Sequence, residues 1–402
     1  MASNRPSTLL LRVDGFGWQD CLATGPGSAI LGSLLFSALF PPPMSVKFLL
    51  RVAGTLLLAW AAAAACVALH TPLPWMLGPL VATSVLSMAG APTESWGPLR
   101  NGGQWAIGAA LGLYFTPEVS ALVGSLWWAI VLGIGWALLL GWGFGAWLYR
   151  LHAPRMHGVP ASMLRSTSYF AGAIGAASEM TLLSERENAR TDLVAASHSL
   201  RLLIVTITIP FALQWSGLQG LDILTPTVRD VSWPGLALLA LLTGAGALVM
   251  DRLGRANPWF MGAMLVSMAV TMAGLHLSAV PQAVVNAAQL VIGVSLGVRF
   301  RAEFLHTAPR WLASVAVGTF GLMGICAAFA AVLAWATGLP WVTLLLGTSP
   351  GGITEMAITA KVLQLGVPVV TAFQVCRLIA VLMLVGPMFR RIYPPTEGGS
   401  AI

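Results

Sequence analysis

The sequence predicts an all-α polytopic membrane protein built from two inverted repeats, with about ten crossing helices and two broken or re-entrant elements. Three observations predict it. The chain is 57% hydrophobic and 9% charged, whereas a soluble domain carries roughly 25% charged residues to make its polar skin. Its halves share motifs in the same order. Each half also holds one apolar element in which glycine precedes a glutamate.

Twelve apolar elements follow one another. In the first half they run near 48–69, 75–90, 101–115, 119–149, 160–183 and 193–214; in the second, near 234–250, 258–275, 284–298, 311–336, 340–360 and 368–389. The repeats are therefore 44–214 and 234–391, with 215–233 as a polar linker and 392–402 as a tail. Residues 1–43 are a poorly defined leader. Its run from Ser28 to Phe40 is too short to span, and no small-residue cleavage site follows it. Met44 opens a basic flank followed by a span, so it reads as the native start.

Pro74, Trp75, Gly78 and Gly90 fall on Pro258, Trp259, Gly262 and Gly274. "NGGQWAIGAALGLYFTPE" from Asn101 matches "NAAQLVIGVSLGVRFRAE" from Asn286. Ser178-Glu179-Met180 falls on Thr354-Glu355-Met356, and Arg201 then falls on Arg377. Three motifs in one order indicate a duplication.

Loop charge sets the orientation of the halves, because Lys and Arg accumulate on the cytoplasmic side. If all twelve elements cross, the two sides carry equal numbers. If the fifth element of each half enters and leaves on one side, only Arg229 and Lys361 of the loop cations lie outside. Lys47, Arg51, Arg100, Arg150, Arg155, Arg186, Arg190, Arg252, Arg255, Arg299, Arg301, Arg310, Arg390 and Arg391 then lie inside. Each half makes five crossings, the second half is inverted, and both termini are cytoplasmic.

The break is clearest in "LGTSPGGITEMAITAK", Leu346 to Lys361. Pro350 removes a backbone donor, and Gly351 and Gly352 relax helical geometry. The exposed backbone groups need water, protein or ligand at membrane depth. A helix restarting near Ile353 points its N–H groups at that gap, with Thr354 as a local cap and Glu355 in its first turn. Ionisable residues inside membrane elements mark function. The candidate substrate-binding set is therefore Glu179, Arg201, Pro350, Gly351, Gly352, Thr354, Glu355 and Arg377, supported by Ser178, His198 and Gln374. Two readings stay open and can coexist: each Glu pairs with an Arg to lock the fold, or Glu179 and Glu355 couple protons or face a cation while Arg201 and Arg377 pair with them or with an anionic substrate.

The net charge of +7 comes from short loops between spans, which does not suggest nucleic-acid binding. No Cys or His pair has metal-ligand spacing, and no Ser/His/Asp order can be defended. No catalytic residue, metal or cofactor is expected.

On "SPGGITEM" and on Phe373 to Met388, the chain resembles the duplicated AbrB-type bacterial membrane proteins. Their labels are AbrB family transcriptional regulator and ammonia monooxygenase. The resemblance covers roughly Arg51 to Arg391; "GAIGAASEM" in the first repeat has no proline where Pro350 stands. It implies a multi-pass protein of the bacterial cytoplasmic (inner) membrane. A monooxygenase needs a redox centre and a DNA reader needs a soluble basic module, and the sequence has neither a ligand set nor such a module. The leading expectation is a secondary transporter or exporter of a small solute, with a midplane site between the repeats. A membrane solute sensor with indirect effects on gene expression is the alternative, and the monooxygenase is disfavoured. Expected partners are the lipid bilayer and a small-molecule or ion substrate, with no direct nucleic-acid contact; a homodimer is left open.

Overall fold

The computed structural model describes residues 45–156, 158–217, 230–300 and 308–394. The leader 1–43, the start at Met44, the middle of the 215–233 linker, Arg229, Arg301 and most of the 392–402 tail lie outside the described residues. Contacts divide the chain into residues 1–50 and 51–402. Of the first unit, residues 45–50 are described; there Ser45 Oγ accepts from the Phe48 N–H at 3.2 Å and opens a helix.

The first half runs α1 (Val46–Ala68), α2 (Pro74–Met88), α3 (Gly97–Gly112), α4 (Pro117–Ser125), α5 (Trp127–His152), α6 (Ala161–Gly172), α7 (Ala177–Arg186) and α8 (Thr191–Ser216). The second runs α9 (Trp233–Arg252), α10 (Pro258–Met272), α11 (Gln282–Gly297), α12 (Pro309–Thr337), α13 (Trp341–Thr348), α14 (Ile353–Val362) and α15 (Val367–Ile392). No strand occurs among the described residues. This is an all-α polytopic membrane protein. Among the described residues six helices are long and apolar enough to cross a bilayer, α1, α5, α8, α9, α12 and α15, and the bent pair α3 and α4 together passes the same test. Four more, α2, α3, α10 and α11, have only 15 or 16 residues. At 1.5 Å per residue these reach about 22–24 Å, against a hydrocarbon thickness of ~30 Å. A helix that short ends at membrane depth, where its unpaired terminal groups need protein or water.

The duplication is written into the backbone. Left-handed φ occurs at matched positions: His70 with Gly254, Leu73 with Asn257, Gly90 with Gly274, and Asn188 with Gln364. Such a conformation costs a non-glycine residue roughly 1–2 kcal/mol, so its recurrence marks one set of turns built twice. Packing is reciprocal as well. α3 packs on α10 as α2 packs on α11, and α5 packs on α15 as α12 packs on α8.

One element differs from expectation. The single helix over 119–149 is two, α4 and α5, divided at Leu126. Ser125 Oγ donates to Leu122 O at 2.7 Å there, a side-chain bond that competes with helix continuation. Thr116 caps α4 through the Val119 N–H, and α3 and α4 meet at 90°. The two glycine-bearing elements are both broken, α6 from α7 at residues 173–176 and α13 from α14 at residues 349–352. The first break forms without a proline.

Candidate functional site

The breaks are held by arginines. A helix leaves its last four carbonyls without partners, and α6 and α13 both end inside the buried core. Arg377, on α15, donates from Nη1 to Ser349 O, and from Nη2 to Gly351 O at 2.8 Å and Gln374 Oε1 at 2.6 Å. Arg201, on α8, donates from Nη2 to Ala173 O at 2.7 Å and from Nη1 to Gly172 O at 3.2 Å. The cation sits at the negative end of each half-helix dipole, where it is favourable.

His198 and Gln374 play one part. Gln374 Nε2 donates to Leu346 O at 2.6 Å while its Oε1 accepts from Arg377. His198 Nε2 lies 2.9 Å from Phe170 O, and its Nδ1 lies 2.8 Å from Arg201 Nη2. The carbonyl only accepts and the guanidinium only donates, so His198 is the neutral tautomer with its proton on Nε2. An amide reproduces that donor and acceptor pair. His198→Gln is therefore expected to melt within a few degrees of wild type, whereas His198→Leu strands Phe170 O and loses about 2–4 kcal/mol. Thermal melts of the purified variants check it.

The structure corrects the expected Glu–Arg pairing. Among the described residues neither Arg201 nor Arg377 bonds a carboxylate; their donors go to break carbonyls and to His198 or Gln374. Arg299, two residues past the end of α11, lines the same cavity as Glu355. Glu355 folds back over Gly352, where its Oε2 fills the space a Cβ would need. Thr354 is not the cap either: Gly352 holds the N-cap position, with no side-chain cap bond.

A cavity of about 120 Å³ lies between the two breaks. It brings together Ser178, His198, Arg201, Pro350, Gly351, Gly352, Thr354, Glu355 and Arg377 from the sequence-derived set. Glu179 is half-buried and does not line it, and Gln374 stands behind Arg377. Sequence reasoning missed Arg100, Gln104, Asn257, Ser295 and Arg299 in the wall. Gln104 Nε2 reaches Asn257 Oδ1 at 3.3 Å, linking the two repeats at the cavity edge. Gln104 carried a signal, since it repeats as Gln289. Arg100 and Arg299 read as loop charges at helix ends. Among the described residues no three His, Cys, Asp or Glu side chains come together as a metal set.

A family model described as "Transition state regulatory protein AbrB" matches residues 75–393, both repeats with their breaks. The chain belongs to the AbrB family. Among relatives of this AbrB-family chain, "Putative regulator AbrB" of Escherichia coli (strain K12) is 26% identical over 329 residues, 81% of this chain and 91% of the relative. "Uncharacterized protein YhjN" of Bacillus subtilis (strain 168) is 24% identical over 346 residues, 79% of this chain and 87% of the relative. No solved structure matches.

Proposed function

We propose that this AbrB-family chain is a secondary transporter or exporter of a small solute in the bacterial inner membrane, with one site between α7 and α14. The observation that carries this reading is an inequality between two halves built alike. α14 packs on α3 and α8 of the other repeat, and eight of its residues are buried. Its counterpart α7 packs on its own neighbours α6 and α8, with only Met180 and Ser184 buried. One half-helix is docked and its twin is loose, with the cavity between them.

Halves built on one plan make the reverse arrangement available: α7 docked on α11 and α15, and α14 released. Exchange between two such states opens one site to each face in turn. Arg100, Asn257 and Arg299 line the cavity and fall on the cytoplasmic side of the loop-charge topology, which supports an inward-facing reading of the described state. The loose element is also the accessible one. In a cysteine-free background, Ser178→Cys is expected to react with a soluble maleimide at least tenfold faster than Thr354→Cys. Ser178 is exposed, while Thr354 is 3% exposed. Arg186→Cys and Lys361→Cys are expected to label from opposite faces of oriented vesicles; labelling from one face removes the inversion.

Uptake by proteoliposomes, screened over small acids, amines and ammonium, tests transport directly. Accumulation above protein-free vesicles supports it. The regulator wording carried by the family description and the Escherichia coli relative favours a second reading, a membrane solute sensor acting indirectly on gene expression. Saturable binding with no movement would select the sensor.

A further inference from the structure

We propose that the cavity takes a small organic anion, a carboxylate, bound between the start of α7 and the two break arginines. This rests on the reading of the cavity as the transport site and adds the chemical class of its ligand. Four arginines line the space, Arg100, Arg201, Arg299 and Arg377, against a single carboxylate, Glu355. Arg201 and Arg377 are 3% and 6% exposed. Their hydrogen bonds end on neutral groups, so two full positive charges stand in a poorly solvated interior without a counter-ion among the described residues. Such charges are costly unless something of opposite sign joins them.

Two further observations locate the missing charge. The Nε of Arg377 is buried and has no hydrogen-bond partner, although the residue lines the cavity. An unmet buried donor on that arginine adds to the uncompensated positive charge of the wall. The half-helix starts also differ. At α14 the carboxyl group of Glu355 turns back over Gly352, the N-cap residue, so that helix start is already covered by an acid. At α7, Ala177 and Ser178 face the cavity with no side-chain cap. Glu179, the counterpart of Glu355, does not line the space. The fold thus places a carboxylate at one of two matched helix starts, and a bound carboxylate at the other would complete the pair. A volume of about 120 Å³ suits roughly ten water-sized atoms, the size of a short-chain acid.

The test uses the purified full chain in detergent. Pyruvate, succinate and inorganic phosphate are titrated against thermal stability at constant ionic strength, with methylammonium and dispersed phosphatidylglycerol as separate arms. At least one of the two carboxylates is expected to raise the melting temperature saturably, and phosphate less. Arg299→Gln, which removes one of the four arginines of the wall, is expected to weaken that binding roughly tenfold; Glu355→Gln, which removes the single carboxyl group of the wall, is expected to strengthen it roughly tenfold. A shift with methylammonium alone, a shift with phosphatidylglycerol alone, or anion shifts equal in wild type and both variants would overturn the proposal. Anion binding without flux in proteoliposomes refutes transport and leaves this inference standing. Flux of methylammonium alone does the reverse.

Discussion

Arg377→Met is expected to yield little folded protein, and what is recovered should lose its native elution profile about 10 °C below wild type after graded heating. The substitution leaves Ser349 O, Gly351 O and Gln374 Oε1 without the guanidinium that serves all three. Gln374 Nε2 still reaches Ser349 O at 3.4 Å, but each buried acceptor left without a donor costs about 1–3 kcal/mol, a large share of the whole stability of an ordinary domain, ~5–15 kcal/mol. Arg377→Lys keeps the charge but offers a point donor in place of a planar fork, so an intermediate loss is expected. The double variant Arg377→Met with Glu355→Gln separates this account from an ion pair. If the arginine serves the carbonyls, removing the acid brings no recovery. Recovery to wild-type stability would mean that charge pairing, and not carbonyl capping, is the role of Arg377.

That distinction also marks where the sequence stopped being informative. The break at Pro350-Gly351-Gly352 was legible because proline and glycine act on the backbone locally. The first-repeat break at residues 173–176 was legible only by register with the second, since nothing in Ala173-Ile174-Gly175-Ala176 forces a helix to stop. The duplication was legible because it is a comparison within one chain. The partners of Arg201 and Arg377 were not, because a main-chain carbonyl leaves no mark in a sequence while a glutamate nearby invites pairing. Nor was the division at Leu126, which falls beside a Ser125 hydroxyl bond inside an otherwise apolar run. Arg100 and Arg299 misled for a different reason. Arg100 lies in the first turn of one helix of 16 residues and Arg299 two residues past the end of another, and packing brings both charges, which read as loop residues, into the cavity wall.

Those short helices carry the second large prediction. Gly112→Val and Gly297→Val are each expected to abolish folding, whereas Gly135→Ala on α5 is expected to be neutral or slightly stabilising. A Cβ on Gly112 would stand 2.6 Å from Met264 O and from Ser267 Cβ on α10. A Cβ on Gly297 would stand 2.8 Å from Leu80 O on α2. The obstructing atoms include backbone on the facing helix, so the helices themselves must separate, at a cost above the ~1–3 kcal/mol typical of overpacking. The close approach is the small-residue packing that holds membrane helices where lipid offers no hydrophobic drive. Gly135 has no atom within 4 Å, and alanine there gains about 0.5–1 kcal/mol of helix propensity. Expression and size-exclusion of the three variants measure the difference. The same geometry has a consequence for mechanism. α2, α3, α10 and α11 are locked pairwise across the repeats by contacts that tolerate no sliding, while α7 lies loose beside them. If one half-helix is to dock as the other leaves, these four helices are the fixed frame it docks against. A milder Gly103→Ala variant, whose Cβ would stand 3.1 Å from Ala288 O on α11, should therefore lower thermal stability without altering the ratio of Ser178→Cys to Thr354→Cys labelling. A change in that ratio would mean that the frame itself moves.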